Sequence, residues 1–241
     1  MALEKIDASS LDPATTVVVA TGNAHKLVEI RDILGEALPG VTFVALAQLG
    51  DFDDPEETGT TFAENAVIKA QAAVAETGFT AVADDSGLVV DALDGEPGVY
   101  SARYAGVHGD DAANNAKLLA KMEDVADAER TARFVSSIAF IEPSGCVTMG
   151  EGACEGMVGH VERGDHGFGY DPLFLPNDTP GKTMAELTPE EKNAISHRFH
   201  ALKNLCAKLA ARGSDSPAVS TESGKAASAT SPDAGAAEPR R

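Results

Sequence analysis

Two adjacent carboxylates interrupt an otherwise apolar stretch of the sequence, AVADDSGLVV at residues 81–90. Holding Asp84 and Asp85 in or beside a buried strand costs free energy unless each charge finds a partner. Adjacent side chains of a strand point to opposite faces, so the two carboxylates are not expected to serve one site in the same way. One of them could face a cleft while the other braces the following turn through backbone N–H groups.

Two interpretations of this pair stay open on the residues alone. A carboxylate at a strand end, beside a turn at Ser86-Gly87, suits Mg²⁺, which takes few protein carboxylates and several waters or substrate phosphates. An aspartate in such a turn can equally accept hydrogen bonds from its own backbone and have no further role.

Positive charge recurs in two helix-forming segments. In ATGNAHK a strand ends in a glycine turn, and the next helix carries Lys26 in its first turn, where orphan N–H groups and the helix dipole favour an anion. The GxxxxGK spacing of a P-loop is absent. In EETGTTFAENAVIKA, Asn65 and Lys69 share a helical face behind Glu57. Either lysine could instead be an ordinary solvated side chain.

The segment HGFGYDPLF combines backbone freedom with aromatic rings. Gly167 and Gly169 let the chain bend, while Phe168 and Tyr170 present their rings. An exposed aromatic on a loop can stack on a nucleobase. The alternative is a loop pinned by its own aromatic side chains. The GxGxxG dinucleotide fingerprint is absent from the sequence.

The segment TPEEKNAISHRFHAL is predicted to form one helix with polar positions beside an apolar stripe. Lys192 and Ser196 share a face at i,i+4, and Arg198 is displaced around the helix at i+6. His197 stands beside Arg198, although a helical histidine is more often solvated or internally satisfied than a ligand. These residues could reach a substrate, but their spacing does not establish it.

The surrounding sequence predicts an α/β domain whose sheet is not purely parallel. Helices are expected to start at Asn23 and at the capping boxes Thr61/Glu64 and Thr188/Glu191, and residues 110–124 are expected to be helical. Gly78 is expected to close the second helix. Strands are predicted at 15–21, at 41–46 and in AVADDSGLVV, where Ser86-Gly87 is interpreted as a turn. Two further strands are predicted in the consecutive segments RTARFVSSIAFIEP and CVTMGEGACEGMVGHV, with Gly-rich turns.

The composition excludes several function classes. A formal net charge of −19, from 38 acidic and 19 basic residues, disfavours nucleic-acid polymers and anionic membranes as partners. Three cysteines without a CxxC pair argue against a disulfide framework and against a cysteine zinc site. The sequence has no recognisable signal peptide and no apolar stretch that would span a bilayer, so a cytoplasmic protein is expected.

Three regions are predicted along the chain. Residues 1–14 form an N-terminal extension, residues 15–212 form the domain, and residues 213–241 form an Ala/Ser/Pro-rich tail. The tail lacks apolar periodicity and is expected to be disordered, because it cannot bury enough surface to offset its ordering entropy.

Five segments taken together resemble, in order, the inosine triphosphate pyrophosphatase family: TGNAHK, TGTTFAENAVIKA, ADDSGLVVDALDGEPGVYSARYAG, GFGYDPLF and MAELTPEEKNAISHR. They cover most of residues 17–205. The resemblance implies a mixed α/β fold with a long curved central sheet, flanking helices and two lobes around an active-site cleft. It also implies a homodimer that uses Mg²⁺ to hydrolyse deaminated purine nucleoside triphosphates (ITP, dITP and XTP) to the monophosphate and pyrophosphate.

The resemblance also implies roles for individual residues. The segment that cradles the phosphates matches Thr21, Gly22, Asn23, Ala24, His25 and Lys26. Lys26 is its main cation, Lys69 adds a second positive charge, and Ser86 matches a substrate contact. Glu57 and Asp85 match the metal-associated carboxylates, and Asp85 also matches the proton acceptor.

The remaining implied contacts lie in the C-terminal half. The base-binding loop matches Phe168, Gly169, Tyr170 and Asp171, with Phe168 as the stacking ring, and further substrate contacts match Lys192, His197 and Arg198. The family commonly has glycine just before its first lysine, and this chain has His25 there, so a close backbone approach is not implied at that position.

Two other functions remain open at this stage. One is a related pyrophosphatase that prefers another nucleotide, such as a modified pyrimidine. The other is a nucleotide-binding sensor that has lost hydrolysis. The presence of both Glu57 and Asp85 favours an enzyme, because a pure binder needs no activated water.

Overall fold

The computed structural model describes residues 4–21 and 24–214. The predicted helix cap Asn23, the phosphate-segment residue Gly22 and the tail beyond Ser214 lie outside the described residues. The side chains of Ala24 and His25 are likewise not described.

Within the described residues, six strands form one sheet in the order β2-β1-β3-β4-β5-β6. The strands are β1 Thr16–Val19, β2 Thr42–Ala45, β3 Thr80–Val90, β4 Thr131–Ile141, β5 Val147–Val158 and β6 Phe174–Pro176. Strand β1 runs parallel to β2 and β3, and the remaining neighbours are antiparallel. The mixed sheet confirms the sequence-based prediction.

Helices flank this sheet on both faces. They are α1 Ala24–Ala37, α2 Leu46–Leu49, α3 Phe62–Thr77, α4 Asp111–Lys121, α5 Pro189–Ile195 and α6 His197–Ser214. A 3₁₀ helix, Gly98–Arg103, follows β3. None of the helices in residues 4–21 and 24–214 combines the length and hydropathy that crossing a bilayer requires.

The apolar core follows the alternation of the strands. On one face Val17 and Val19 pack with Ile30 and Leu34 of α1 and with the apolar side of α6. On the other face Val18 packs against the alanines of α3. Each large apolar side chain buried in this way stabilises the fold by roughly 1.5–3 kcal/mol. The sheet and its helices therefore form a fixed frame for the polar residues of β3.

Local signals correctly predicted where two helices begin and one ends. Thr61 and Thr188 form the capping boxes that start α3 and α5. Gly78 closes α3 with a positive φ of 73°, which glycine adopts without the strain of a side chain.

The predicted turn at Ser86-Gly87 was wrong. Strand β3 continues through both residues, and its register with β4 pairs Ala81 with Ile141 and Val90 with Ala132. Gly87 is needed for a different reason: a Cβ there would lie 2.3 Å from Ser101 Oγ and 2.7 Å from Gly98 O. The missing side chain lets the 3₁₀ helix pack directly on the strand.

The strand predicted for CVTMGEGACEGMVGHV is present as β5, and Gly150, Gly152 and Gly156 all lie within it. A Cβ at Gly152 would lie 2.3 Å from Ala201 N and 2.4 Å from His197 O. The glycines therefore allow the α6 backbone to lie against the sheet, which brings the beginning of that helix close to β3 and β4.

The predicted single C-terminal helix is interrupted at Ser196, which has extended backbone angles (φ −69°, ψ 148°). Ser196 Oγ accepts a hydrogen bond from Phe199 N at 3.1 Å, as at a helix start. Lys192 consequently lies on α5, whereas His197 and Arg198 begin α6. Their relative positions do not follow one helical face.

Candidate active site

Alternation along β3 places Asp84 and Asp85 in two clusters on opposite faces of the strand. The Asp84 cluster comprises Asp84, Lys26, Ser86, Ser136, Arg198 and Glu29. The Asp85 cluster comprises Asp85, Lys69, Glu57, Asn65 and Arg103. The expectation that the two carboxylates face different ways agrees with this geometry.

The Asp84 carboxylate is fully buried and paired with two cations. Its Oδ2 lies 2.6 Å from Lys26 Nζ and 3.3 Å from Arg198 Nη2. Ser136 Oγ donates to its other oxygen at 2.5 Å. Burial alone would raise the pKa of Asp84, but Lys26 and Arg198 outweigh it and hold the pKa far below the usual range. Asp84 therefore stays ionised.

Both cations of the Asp84 cluster have further contacts. Lys26 Nζ donates to Ser86 Oγ at 3.1 Å, and Arg198 Nη1 lies 2.6 Å from Glu29 Oε2. Burial lowers the pKa of Lys26, and its attraction to Asp84 offsets only part of this effect. Arg198 thereby links α6 to β3 and to α1, the helix that carries Lys26.

In the Asp85 cluster, one ammonium lies between two carboxylates. Lys69 Nζ is 2.6 Å from Glu57 Oε1 and 2.7 Å from Asp85 Oδ1. Asn65 Nδ2 donates to the second oxygen of Asp85 at 3.3 Å. Burial raises the pKa of Asp85, and although Lys69 lowers it, the net shift is upward. A raised pKa makes this carboxylate a better proton acceptor than an ordinary aspartate.

The carboxylates of Glu57 and Asp85 fit the needs of Mg²⁺. Their oxygens converge on one cation, Lys69 Nζ, so both already point at a single positive charge. Among the described residues, no three His, Cys, Asp or Glu side chains gather into a set that could hold a metal ion. Two carboxylates are nevertheless sufficient for Mg²⁺, which keeps several waters or substrate phosphates as ligands.

The aromatic loop is held by its own polar groups. Asp171 Oδ2 accepts hydrogen bonds from Phe168 N at 2.9 Å and from Lys192 Nζ at 2.5 Å. The Phe168 ring is half-buried, with Lys192 Nζ 4.7 Å from its centroid. Tyr170 is buried, and its hydroxyl donates to Ser101 O at 2.9 Å. The prediction that Tyr170 presents its ring was therefore wrong, because the ring packs inward.

Helix α4 also holds this loop, through hydrogen bonds to one of its residues. Gly169, with φ of 62°, donates its N–H to Asp111 Oδ2 at 2.7 Å, and its carbonyl accepts from Asn115 Nδ2 at 3.1 Å. Asp111 and Asn115 are four residues apart and lie on one face of α4. The loop that carries Phe168 is thus fixed from two sides.

His197 is buried and stacks on Phe134, with 5.0 Å between ring centroids. Its Nδ1 has no hydrogen-bond partner within the part of the chain that the structure describes. Burial lowers the pKa of His197 well below its ordinary value, so the ring is neutral at pH 7. A neutral imidazole has one nitrogen that donates and one that accepts a hydrogen bond.

The structure brings together most of the residues that the sequence singled out. Thr21 follows β1, Ser86 joins the Asp84 cluster beside Lys26, and Lys192 contacts Asp171 and Phe168. The ligand contacts assigned to these residues stay predictions.

Several contributing residues were not predicted from the sequence: Glu29, Arg103, Asp111, Asn115, Ser136 and the central role of Asp84. Of these, Arg103 lies within the long segment from Ala83 to Gly106 on which the family resemblance rests. That position is a signal that could have identified it.

The fold and the two clusters define a class: a mixed α/β protein with two lysine–carboxylate clusters on one central strand, next to an aromatic loop. Such an arrangement is chemically suited to a ligand that combines phosphates, a divalent cation and an aromatic base. The chain belongs to the Ham1 family, whose model matches residues 17–208.

Known relatives of the chain resemble it over nearly their full length. A protein of Nocardia farcinica named dITP/XTP pyrophosphatase is 53% identical over 196 residues, which is 81% of this chain and 95% of the relative. One of the same name from Mycolicibacterium paratuberculosis is 50% identical over 194 residues, covering 80% and 95%. The solved Ham1 protein of Staphylococcus aureus is 41% identical, with a TM-score of 0.73, and covers 82% of this chain and 99% of that one.

Proposed function

We propose that this protein hydrolyses deaminated purine nucleoside triphosphates, namely dITP, XTP and ITP, to the monophosphate and pyrophosphate in a Mg²⁺-dependent reaction. The observation that carries the proposal is that Lys69 lies between the carboxylates of Glu57 and Asp85, and that the pKa of Asp85 is raised. The names of relatives that are about half identical to the chain support the choice of substrate.

The proposed reaction transfers one proton and breaks one P–O bond. Asp85 accepts a proton from water, whose oxygen attacks the α-phosphorus. The bond from the α-phosphorus to the bridging oxygen breaks, and its electron pair leaves with pyrophosphate. Lys26 and Lys69 stabilise the negative charge that develops on the leaving group. When held by Glu57 and Asp85, Mg²⁺ supplies further positive charge against the phosphates.

Base recognition is assigned to the aromatic loop and the start of α6. The Phe168 ring would stack on the purine, as aromatic side chains commonly do with bases. Donors aimed at the 6-oxo group would reject adenine, whose amino group leaves them unpaired. The proposed sources of such contacts are Lys192, His197 and Arg198. Lys192 contacts the Phe168 ring, Arg198 belongs to the Asp84 cluster, and His197 precedes Arg198 and stacks on Phe134.

A substrate panel tests the proposal. Pyrophosphate release is measured with ITP, XTP, dITP, ATP, GTP and dUTP, with Mg²⁺ and after chelation. We expect ITP, XTP and dITP, whose purines carry a 6-oxo group and no amino group, to be hydrolysed fastest, and we expect chelation to stop the reaction. Preference for dUTP would identify a related pyrophosphatase, and measurable binding without any release would identify a sensor.

Replacing Phe168 by alanine is expected to raise KM for dITP by about 5- to 150-fold, because base stacking on an aromatic ring contributes about 1–3 kcal/mol. The melting temperature should change little, since the ring is only half-buried. Steady-state kinetics and thermal unfolding check both statements.

Phe199→Ala is the matched control for Phe168→Ala. Phe199 is also a half-buried ring with a lysine nearby, Lys203 Nζ at 5.4 Å from its centroid. KM should be unaffected in this control. An unchanged KM in Phe168→Ala as well would show that Phe168 serves only to pack the loop.

We also propose that the protein acts as a cytoplasmic homodimer, as the resemblance to nucleotide-pool enzymes implies. Light scattering of the purified full chain tests the oligomeric state, and a monomer at all concentrations would contradict it.

A further inference from the structure

We propose that Arg103 is a positioning residue that holds Glu57 in place for the metal-dependent reaction. This inference rests on the proposed function. Arg103 Nη1 lies 2.7 Å from Glu57 Oε2, whereas the other oxygen, Oε1, faces Lys69. Arg103 thus holds one oxygen of Glu57, and the other oxygen faces Lys69, the cation that Glu57 shares with Asp85.

Glu57 needs such an anchor because its own backbone provides little. Residues 50–60 contain no helix or strand in the described structure. Nearby contacts act on the residues that follow: Gly59 N donates to Asn65 Oδ1 at 2.9 Å, and Thr60 N donates to Glu64 Oε2 at 2.6 Å. The direction of the Glu57 side chain therefore depends on its two ion pairs.

Only one of these two ion pairs is suited to persist during the reaction. Lys69 is proposed to stabilise the charge on the leaving pyrophosphate, and a divalent cation held by Glu57 and Asp85 would compete with Lys69 for the same two carboxylates. Arg103 contacts the opposite oxygen, so it can keep its hydrogen bond to Glu57 throughout. A guanidinium also presents its N–H donors in a fixed planar fork that matches a carboxylate.

Arg103 is itself fixed to the strand that carries Asp85. It ends the 3₁₀ helix that packs on β3 at Gly87. Ser101 Oγ accepts from Leu88 N at 2.9 Å and donates to Gly98 O at 2.6 Å. Asp85 and Arg103, the residue that anchors Glu57, are therefore both held by β3. This strand consequently sets the distance between the carboxylates of Glu57 and Asp85.

The test compares Arg103→Met and Arg103→Lys with the matched control Arg133→Met. Arg133 also pairs with carboxylates, those of Asp91 and Glu155, and its side chain is 32% exposed against 31% for Arg103. Mn²⁺ binding is followed by electron paramagnetic resonance with α,β-methylene-ITP present, and pyrophosphate release from dITP is titrated with Mg²⁺. Circular dichroism verifies that each variant is folded.

We expect Arg103→Met to weaken Mn²⁺ binding by about 10- to 100-fold, as is typical when a partner of a metal ligand is removed. The Mg²⁺ concentration for half-maximal rate should rise in parallel, with KM for dITP at saturating Mg²⁺ unchanged. Arg103→Lys should recover part of the loss, and Arg133→Met should behave like the wild type.

A double-mutant cycle with Glu57→Gln decides whether Arg103 acts through Glu57. If it does, Arg103→Met will weaken Mn²⁺ binding no further in the Glu57→Gln background. Full additivity, or a raised KM with unchanged Mn²⁺ binding, would overturn the inference. If the wild type releases no pyrophosphate, the proposed function fails, whereas the Mn²⁺ measurements still test Arg103 by themselves.

Discussion

Asp85→Asn is expected to lower kcat for pyrophosphate release by about 10²- to 10⁴-fold, the usual contribution of a positioned general base. Asparagine keeps the size of the side chain and can still meet Asn65, but it cannot accept the proton from water. Its loss of charge also removes one partner of Lys69. Pyrophosphate release under saturating Mg²⁺ and dITP measures the effect.

Asp91→Asn is the control for this substitution. Asp91 immediately follows β3, but it pairs with Arg133 at the protein surface and should leave kcat unchanged. Circular dichroism should show both variants folded. Near-normal turnover by Asp85→Asn would remove the assignment of Asp85 as proton acceptor and would direct attention to other carboxylates of the site.

Asp84→Asn should instead act on stability, lowering the free energy of unfolding at pH 7 by about 3–5 kcal/mol. The reason is that Lys26 and Arg198 would lose the buried carboxylate that lies between them. Urea unfolding, with Asp91→Asn again as the exposed control, measures the difference. A change below about 1 kcal/mol, the range of surface ion pairs, would contradict the role of Asp84.

The effect of Asp84→Asn should depend on pH in a defined direction. The pKa of Asp84 in the folded chain lies below the ordinary value of 3.8. Its contribution to stability is therefore fully present above pH 3.8 and is lost as the pH falls through the lower, folded pKa. The stability difference between wild type and Asp84→Asn should be constant from pH 5 to 7 and shrink in more acidic urea titrations.

Local signals explain why much of the fold could be predicted from the sequence. The capping boxes at Thr61 and Thr188 depend on residues within one turn, and the alternation at Asp84 and Asp85 depends only on strand geometry. The turn predicted at Gly87 failed because that glycine accommodates a helix packed on it, which is a tertiary cause.

The residue types of the candidate site could be predicted from the sequence, but not which side chains contact each other. Asp84 meets Arg198 across 114 residues of sequence, and no local pattern specifies such a contact. The i,i+4 spacing of Lys192 and Ser196 was misleading, because the chain leaves helical geometry at Ser196. Residue types alone did not distinguish Tyr170 from Phe168, and only the family resemblance indicated Phe168 as the stacking ring. The packed structure shows that the Tyr170 ring faces inward.

The continuous pairing of β3 with β4 makes strand register a condition for activity. A slip of one residue in either direction would put Ala83 where Asp84 belongs or Ser86 where Asp85 belongs, and the remaining aspartate would face the other set of cations. Either slip moves both aspartates away from the cations with which they pair in the native alignment. The electrostatic cost of mispairing thus selects the alignment of the sheet, and the residues proposed for catalysis also help the chain to reject misfolded alternatives.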